Sequence, residues 1–286
     1  MQLDLFRSLW GWQGDWARCG SECREIGFTG VEARLPADPF ARRALRSALE
    51  AEGLSYIAVV FTGGDVIPDQ SWTLQQHWDR LEASIEGAAL VGARFLNVLP
   101  GNDRWPLAKQ VEFFGRAQEL ADGAGAICSF EIHRATSLYS PWVALEVIAQ
   151  LPDLRFTSDI SHWVVVCERL LDDPADDLSP FLERVHHVQA RVGYDQGPQV
   201  PHPAAPEYAG ALAFHQGVWE RIWASQQARG YAVTTLTPEF GPDGYTHLLP
   251  FTQAPIADTW ALNQWMARVE RDHFDRWQLQ QGDMTP

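Results

Sequence analysis

Four short stretches carry the side chains best suited to chemistry: SFEIH (129–133), SDISHW (158–163), HHVQARVG (186–193) and TPEFGP (237–242). Each closes an apolar run of extended character with a carboxylate, imidazole, amide or guanidinium. Side chains alternate across an extended strand with a period of two. Glu131 and His133 therefore share a face, as do His187, Gln189 and Arg191, and Thr235, Thr237 and Glu239. If these faces look toward one centre, Glu131, Asp159, Gln189 and Glu239 form a ring. Three carboxylates and an amide oxygen repel one another unless they are compensated. A single divalent cation is the natural remedy, and hard oxygen donors favour Mn²⁺ or Mg²⁺, with Co²⁺ or Zn²⁺ also accommodated. One acid at a strand end is more often a helix cap, and Asp159 could cap the segment ISHWVVV. Four stretches delivering ligand-type residues at one height argue for a site.

The elements that must position these residues alternate with regularity. Strands are expected at 3–9, 29–34, 55–61, 94–100, 127–133, 154–159, 185–193 and 232–240. Helices are expected at 15–27, 38–53, 72–92, 106–125, 140–151, from 160 through 184, at 212–230 and at 254–278. Eight strands, each followed by a helix, imply parallel pairing. Within 286 residues this points to a (β/α)8 TIM barrel forming one domain over 1–286. Glycines 11 and 14 lack the dinucleotide-binding spacing, and no phosphate-cradling P-loop occurs. Beyond the terminal QGDMTP, nothing reads as a disordered tail.

Composition narrows the partners. The formal net charge is −15, which repels phosphate backbones and anionic membranes. No nucleic acid or membrane partner is expected. No signal peptide opens the chain and no 18-residue apolar run occurs, so a cytoplasmic location is expected. Cys19, Cys23, Cys128 and Cys167 read as reduced thiols, and the Cys19–Cys23 pair as helix packing.

The ordered set of four motifs resembles the xylose-isomerase-like TIM-barrel superfamily over nearly the whole chain. This is the sugar phosphate isomerase/epimerase and AP endonuclease family 2 type. It includes ketose 3-epimerases, hydroxypyruvate isomerases, inosose dehydratases and apurinic-site endonucleases. The resemblance implies one divalent metal held by Glu131, Asp159, Gln189 and Glu239, and a substrate contact at His162, three residues after the aspartate. Gln189 stands where many members have histidine and hydroxypyruvate-isomerase-like members have glutamine. His186 and His187 are one-register alternatives. Arg191 falls near a substrate-binding arginine.

The implied chemistry is isomerisation or epimerisation of a sugar or small hydroxy-ketone, a reaction of carbohydrate metabolism. Adjacent oxygens of the substrate chelate the metal, which stabilises an enediolate. Glu131 and Glu239 exchange the proton, with His162 as a further catalytic group. His133, Arg191, His162, Trp10 and Trp163 are the expected substrate contacts, with Trp12 and Trp105 as further aromatic walls. The proline-rich loop 193–208 should cover the site through Gln199, His202 and Glu207. The other helical tryptophans suit packing, within the chain or across a homodimer or homotetramer. An inosose-type dehydratase on the same site, or a non-catalytic barrel that binds a ligand, are the alternatives. The endonuclease activity lacks its histidines after the third and fourth strands, where VVFTGGD and VLPGND stand.

Overall fold

Residues 1–242 and 244–283 are described by a computed structural model. Eight parallel strands close into a barrel in chain order: β1 Gln2–Ser8, β2 Gly30–Arg34, β3 Ser55–Phe61, β4 Phe95–Leu99, β5 Cys128–Glu131, β6 Arg155–Ser158, β7 Val185–Ala190 and β8 Val233–Pro238. Closure comes from β1, which pairs with both β2 and β8. The single-domain barrel expected from the alternation is therefore the observed fold. Of the QGDMTP tail, residues 284–286 lie outside the described residues.

The outer helices are α1 Trp16–Ile26, α2 Pro39–Glu52, α3 Leu74–Val91, α4 Leu107–Gly123, α5 Pro141–Gln150, α6 Ser161–Cys167, α7 Ser179–Leu182, α8 Ala209–Ala228 and α9 Thr259–Asp283. Their ends are written locally. Asp15 and Asp38 accept backbone N–H bonds from Arg18 and Ala41, and Thr73 forms a reciprocal capping box with Gln76. Gly27 and Gly92 close α1 and α3 at φ +83° and +85°, in the left-handed region where a Cβ is costly. The helical region expected from 160 through 184 is split in two, because Glu168 and Leu171 take positive φ. The last helix begins at Thr259 rather than 254, since Leu248 and Pro255 form an antiparallel bridge just before it.

The barrel floor is apolar: Phe6, Ile57 and Phe95 pack into one small cluster. Gly30 makes room for it, since a Cβ there would lie 2.5 Å from the Phe6 ring and 2.4 Å from the Ser55 carbonyl oxygen. Above the floor the interior turns polar, with Glu32, Asn97, Glu131, His187 and Gln189 all buried. In TIM barrels the C-terminal ends of the strands carry the chemistry, and this polar layer rises toward them. No helix among the described residues is long and apolar enough to cross a membrane.

Candidate active site

Strand ends deliver the site. Glu131 closes β5, Asp159 follows β6, Arg191 follows β7, and Glu239 follows β8, while Gln189 lies within β7 opposite Thr237. Glu131, Arg191 and Glu239 line a cavity of about 340 Å³ together with Glu32, His133 and Tyr245 on its polar side, whereas Asp159 and Gln189 lie behind its wall, Asp159 against Arg191 and Gln189 against Glu32 and Glu239. Trp10, Val59, Phe61 and Leu99 form its apolar side. A larger groove of about 750 Å³ surrounds Arg155, Arg184, Arg221 and Arg229 at the starts of β6 and β7. It contains none of the strand-end acids, so the smaller cavity is the site.

Two amides knit the acids together. Asn97 Nδ2 donates to Glu32 Oε1 at 2.9 Å and to Glu131 Oε2 at 2.7 Å. Gln189 Nε2 donates to Glu32 Oε1 at 3.1 Å and to Glu239 Oε1 at 3.0 Å. His187, below Gln189 on the same face, donates from Nε2 to Glu32 Oε2 at 3.1 Å. Arg191 supplies the compensating charge: its Nη2 contacts Asp159 Oδ2, lies 3.0 Å from His162 Nε2, and reaches Glu239 Oε2 at 3.5 Å. Asp159 plays both roles that its position allows. Its Oδ1 accepts from the Ser161 backbone N–H at 3.3 Å and from the Ser161 hydroxyl at 2.5 Å at the start of α6, while its Oδ2 faces Arg191 and His162.

Electrostatics follow from three buried carboxylates and the half-buried Glu239, with one guanidinium paired to Asp159 and Glu239. Burial, then the charges of Asp159 and Glu32, pushes Glu131 up to about 8. Burial pushes Glu239 well above the ordinary carboxylate range against the opposing pull of Arg191. For Asp159 the burial effect is overridden by Arg191 and His162, which hold it below its usual value. For Glu32 burial is likewise outweighed, chiefly by His187, and the carboxyl stays below its usual value. Burial brings His162 down to about 4 and His133 well below its ordinary value. Raised acids in a water-poor cleft are the mark of groups that can carry protons.

The donor set fits a divalent cation. Gln189 Oε1 and His162 Nδ1 are buried and have no hydrogen-bond partner among the described residues, and unpartnered buried polar atoms call for a ligand or ion. Glu131, His133 and His162 offer ligand atoms that all lie within 4.8 Å of one another. Glu131 is thus common to this cluster and to the ring expected from sequence. His133 and His162 join it more closely than the spacing argument anticipated, because Arg191 stands between Asp159 and Glu239.

Two expected contacts are placed differently. Trp163 does not line the cavity. It is fully buried, donates Nε1–H to the Leu138 carbonyl at 2.9 Å and packs 4.6 Å from the Phe181 ring. The reason is helical phase: on α6, Trp163 turns toward the core while His162 turns toward Arg191. His162 itself lies behind His133, ring centroids 3.9 Å apart, and makes no part of the cavity surface. Trp10 does line it, 5.0 Å edge-on from Tyr245. Gln199 of loop 193–208 is buried and bonds both backbone groups of Gly241, so this loop braces the wall, and neither His202 nor Glu207 lines the cavity. Trp12 and Trp105 are likewise absent from the cavity wall.

Glu32, Asn97 and Tyr245 were not singled out from sequence. The first two left only an ambiguous signal, a polar residue within the strands TGVEAR and RFLNVLP, as a solvent-facing strand would also give. Tyr245 left none, since it arrives from the loop after β8, where its hydroxyl lies 3.4 Å from His133 Nε2.

The fold has many solved relatives. The structure of L-ribulose 3-epimerase matches with a TM-score of 0.68 and 14% identity, covering 100% of this chain and 99% of that one. The probable 3-DHS dehydratase AsbF from Bacillus anthracis matches with a TM-score of 0.60, 14% identity, and coverage of 95% and 99%. The IOLI protein, solved with a bound zinc atom, matches with a TM-score of 0.60, 12% identity, and coverage of 97% and 99%. At such identities the likeness shows the shared barrel. No curated protein sequence matches the chain. The sequence signature of the xylose isomerase-like TIM barrel matches residues 21–246. With most of its length inside that signature and its eight strands closed in chain order, the chain belongs to the xylose isomerase-like TIM barrel family.

Proposed function

We propose that the protein is a divalent-metal-dependent isomerase or epimerase of a sugar or small hydroxy-ketone, working by proton transfer next to a carbonyl. The observation that carries this is the gathering of Glu32, Glu131, His133 and Glu239 on one cavity with Arg191, which pairs with Glu239 and with Asp159 behind the wall, near a buried Gln189 amide oxygen without a partner among the described residues. Glu131, Asp159, Gln189 and Glu239 would hold the cation, with His133 and His162 at hand as nitrogen donors. Bound there, a cation of the Mn²⁺ or Mg²⁺ type supplies Lewis-acid polarisation of a carbonyl.

The chain's own residues do the rest. Glu131, which burial and the charges of Asp159 and Glu32 raise in the metal-free protein, faces the cavity where it would take and return a proton. Glu239, the other strand-end acid on the cavity wall, would exchange the proton with Glu131. Arg191 and Tyr245, with the guanidinium 4.5 Å from the phenol ring, present donors to substrate oxygens. The indole of Trp10 offers a flat face for sugar C–H groups. The likeness to structures of a 3-epimerase and of a zinc-bound barrel supports this reading.

A dehydratase on the same site is the second reading. The same proton abstraction followed by loss of a β-hydroxyl as water would give this outcome. The test is metal analysis of the purified protein, then a screen of ketoses and inososes with Mn²⁺ in D₂O. Deuterium entering the α-carbon with the carbon skeleton intact is the expected result. A dehydrated product selects the lyase. No exchange and no turnover with any ketose or inosose sinks both.

A further inference from the structure

Glutamine is an awkward cation ligand, because its amide oxygen and nitrogen are nearly the same size. Only one of the two can bind a cation. What decides between them is the chemistry of the neighbours. A carboxylate accepts hydrogen bonds and donates none. In this barrel the Gln189 nitrogen lies 3.1 Å from Glu32 and 3.0 Å from Glu239, and the oxygen has no partner among the described residues. Asn97 repeats the arrangement one side over. Its nitrogen faces Glu32 and Glu131, and its oxygen is also unpartnered. Glu32 Oε1 is the acceptor common to both amides.

Glu32 is itself held. Its Oε2 takes the Nε2–H of His187, whose other ring nitrogen meets the Thr235 hydroxyl at 2.8 Å. The side chain is 2% exposed and reaches across the barrel from β2 to β7. A buried acid with three donors on it and no reach into an ion pair with arginine is not there for solubility.

We propose that Glu32 is a positioning residue: by accepting from the amide nitrogens of Gln189 and Asn97 it fixes the Gln189 oxygen as the ligand atom offered to a divalent cation. This rests on the cation reading above. Partners that orient a ligand from behind typically change metal affinity by roughly 10–100-fold when removed.

The test uses the full chain stripped of metal with a chelator and titrated with Mn²⁺ by calorimetry. Three forms are compared: wild type, Glu32→Gln, and the double variant Glu32→Gln with Gln189→Glu. Glu32→Gln keeps the shape but can donate to the Gln189 oxygen and turn the amide round. Its Mn²⁺ dissociation constant should rise by roughly 10–100-fold, while the thermal midpoint of the metal-free protein changes little. The double variant reverses the polarity of the pair, and its carboxylate at 189 needs no orienting, so affinity should return close to wild type. Equal Mn²⁺ affinity in wild type and Glu32→Gln overturns the proposal alone. A folded double variant that stays weak also overturns it. If both variants fail to fold, Glu32 serves the fold and the proposal falls. If wild type binds none of Mn²⁺, Mg²⁺, Co²⁺ and Zn²⁺, the cation reading falls and takes this proposal with it.

Discussion

At the scale of single residues, the site is a problem of excess negative charge solved in several ways at once. Arg191 neutralises Asp159, His187 and two amides stabilise Glu32, and Glu131 and Glu239 absorb the remainder by holding their protons more tightly. Glu131→Gln keeps the hydrogen bond to Asn97 possible but removes the proton acceptor. It should lower kcat for deuterium exchange by roughly 10²–10⁴-fold with little change in the thermal midpoint; exchange at the wild-type rate would move the base elsewhere. Trp10 depends on a neighbour with no side chain, because a Cβ on Gly241 would lie 1.9 Å from its ring. Gly241→Ala should displace the indole, alter the near-ultraviolet circular dichroism and raise KM more than it lowers kcat. The acids at strand ends were legible in the sequence only as a set, because one carboxylate closing an apolar run is more often a helix cap, whereas four stretches delivering ligand-type residues at one height point to a shared site. Glu32 and Asn97 were not, because a single polar residue inside a short strand has the same pattern whether it meets solvent or a barrel interior.

At the scale of elements, helix ends were readable from local chemistry and strand ends from hydrophobic runs. Both depend on residues within a few positions of one another. The Thr73–Gln76 capping box shows the contribution of such a signal. Thr73→Ala should lower stability by about 1 kcal/mol, measured by chemical denaturation, and an unchanged midpoint would make the box ornamental. The segment after β6 was less legible. Its break into α6 and α7 turns on positive φ at Glu168 and Leu171, residues that do not advertise such a conformation. The role of loop 193–208 was also hidden. Its prolines suggested a cover, yet Gln199 spends both amide ends on Gly241, which only the approach of two distant loops could reveal.

At the scale of the whole molecule, the outer helices bury large aromatic side chains against one another: Trp223 is fully buried and lies 5.0 Å from Phe274 and 5.6 Å from Trp277. Trp223→Ala should cost about 3–5 kcal/mol in denaturant unfolding without changing the exchange activity per folded molecule. Buried histidines contribute to the loss of stability in acid. Burial, with Lys109 adding to it, brings His77 down to about 4, and burial brings His215 to about 4. A histidine kept neutral by the fold stabilises it fully above its unfolded value near 6.5, and that contribution fades as pH falls from there toward 4. His273 works in the opposite sense. Glu270 and Glu220 outweigh its burial and raise it, so its contribution is whole below 6.5 and is lost as pH rises through the folded value. Thermal midpoints should therefore fall from neutral pH to pH 4, and His215→Gln should flatten that fall.

The sequence by itself determined the alternation of strands and helices, hence the barrel, and it determined which strands end in acids. These are local properties, set by periodicity and by neighbours in the chain. Tertiary structure alone decided that Arg191 lies between Asp159 and Glu239, that Trp163 turns inward while His162 turns toward the acids, and that Glu32 reaches across the barrel to Gln189. Such contacts join residues as many as 157 positions apart, and no pattern within a strand or helix carries the closure that brings them together.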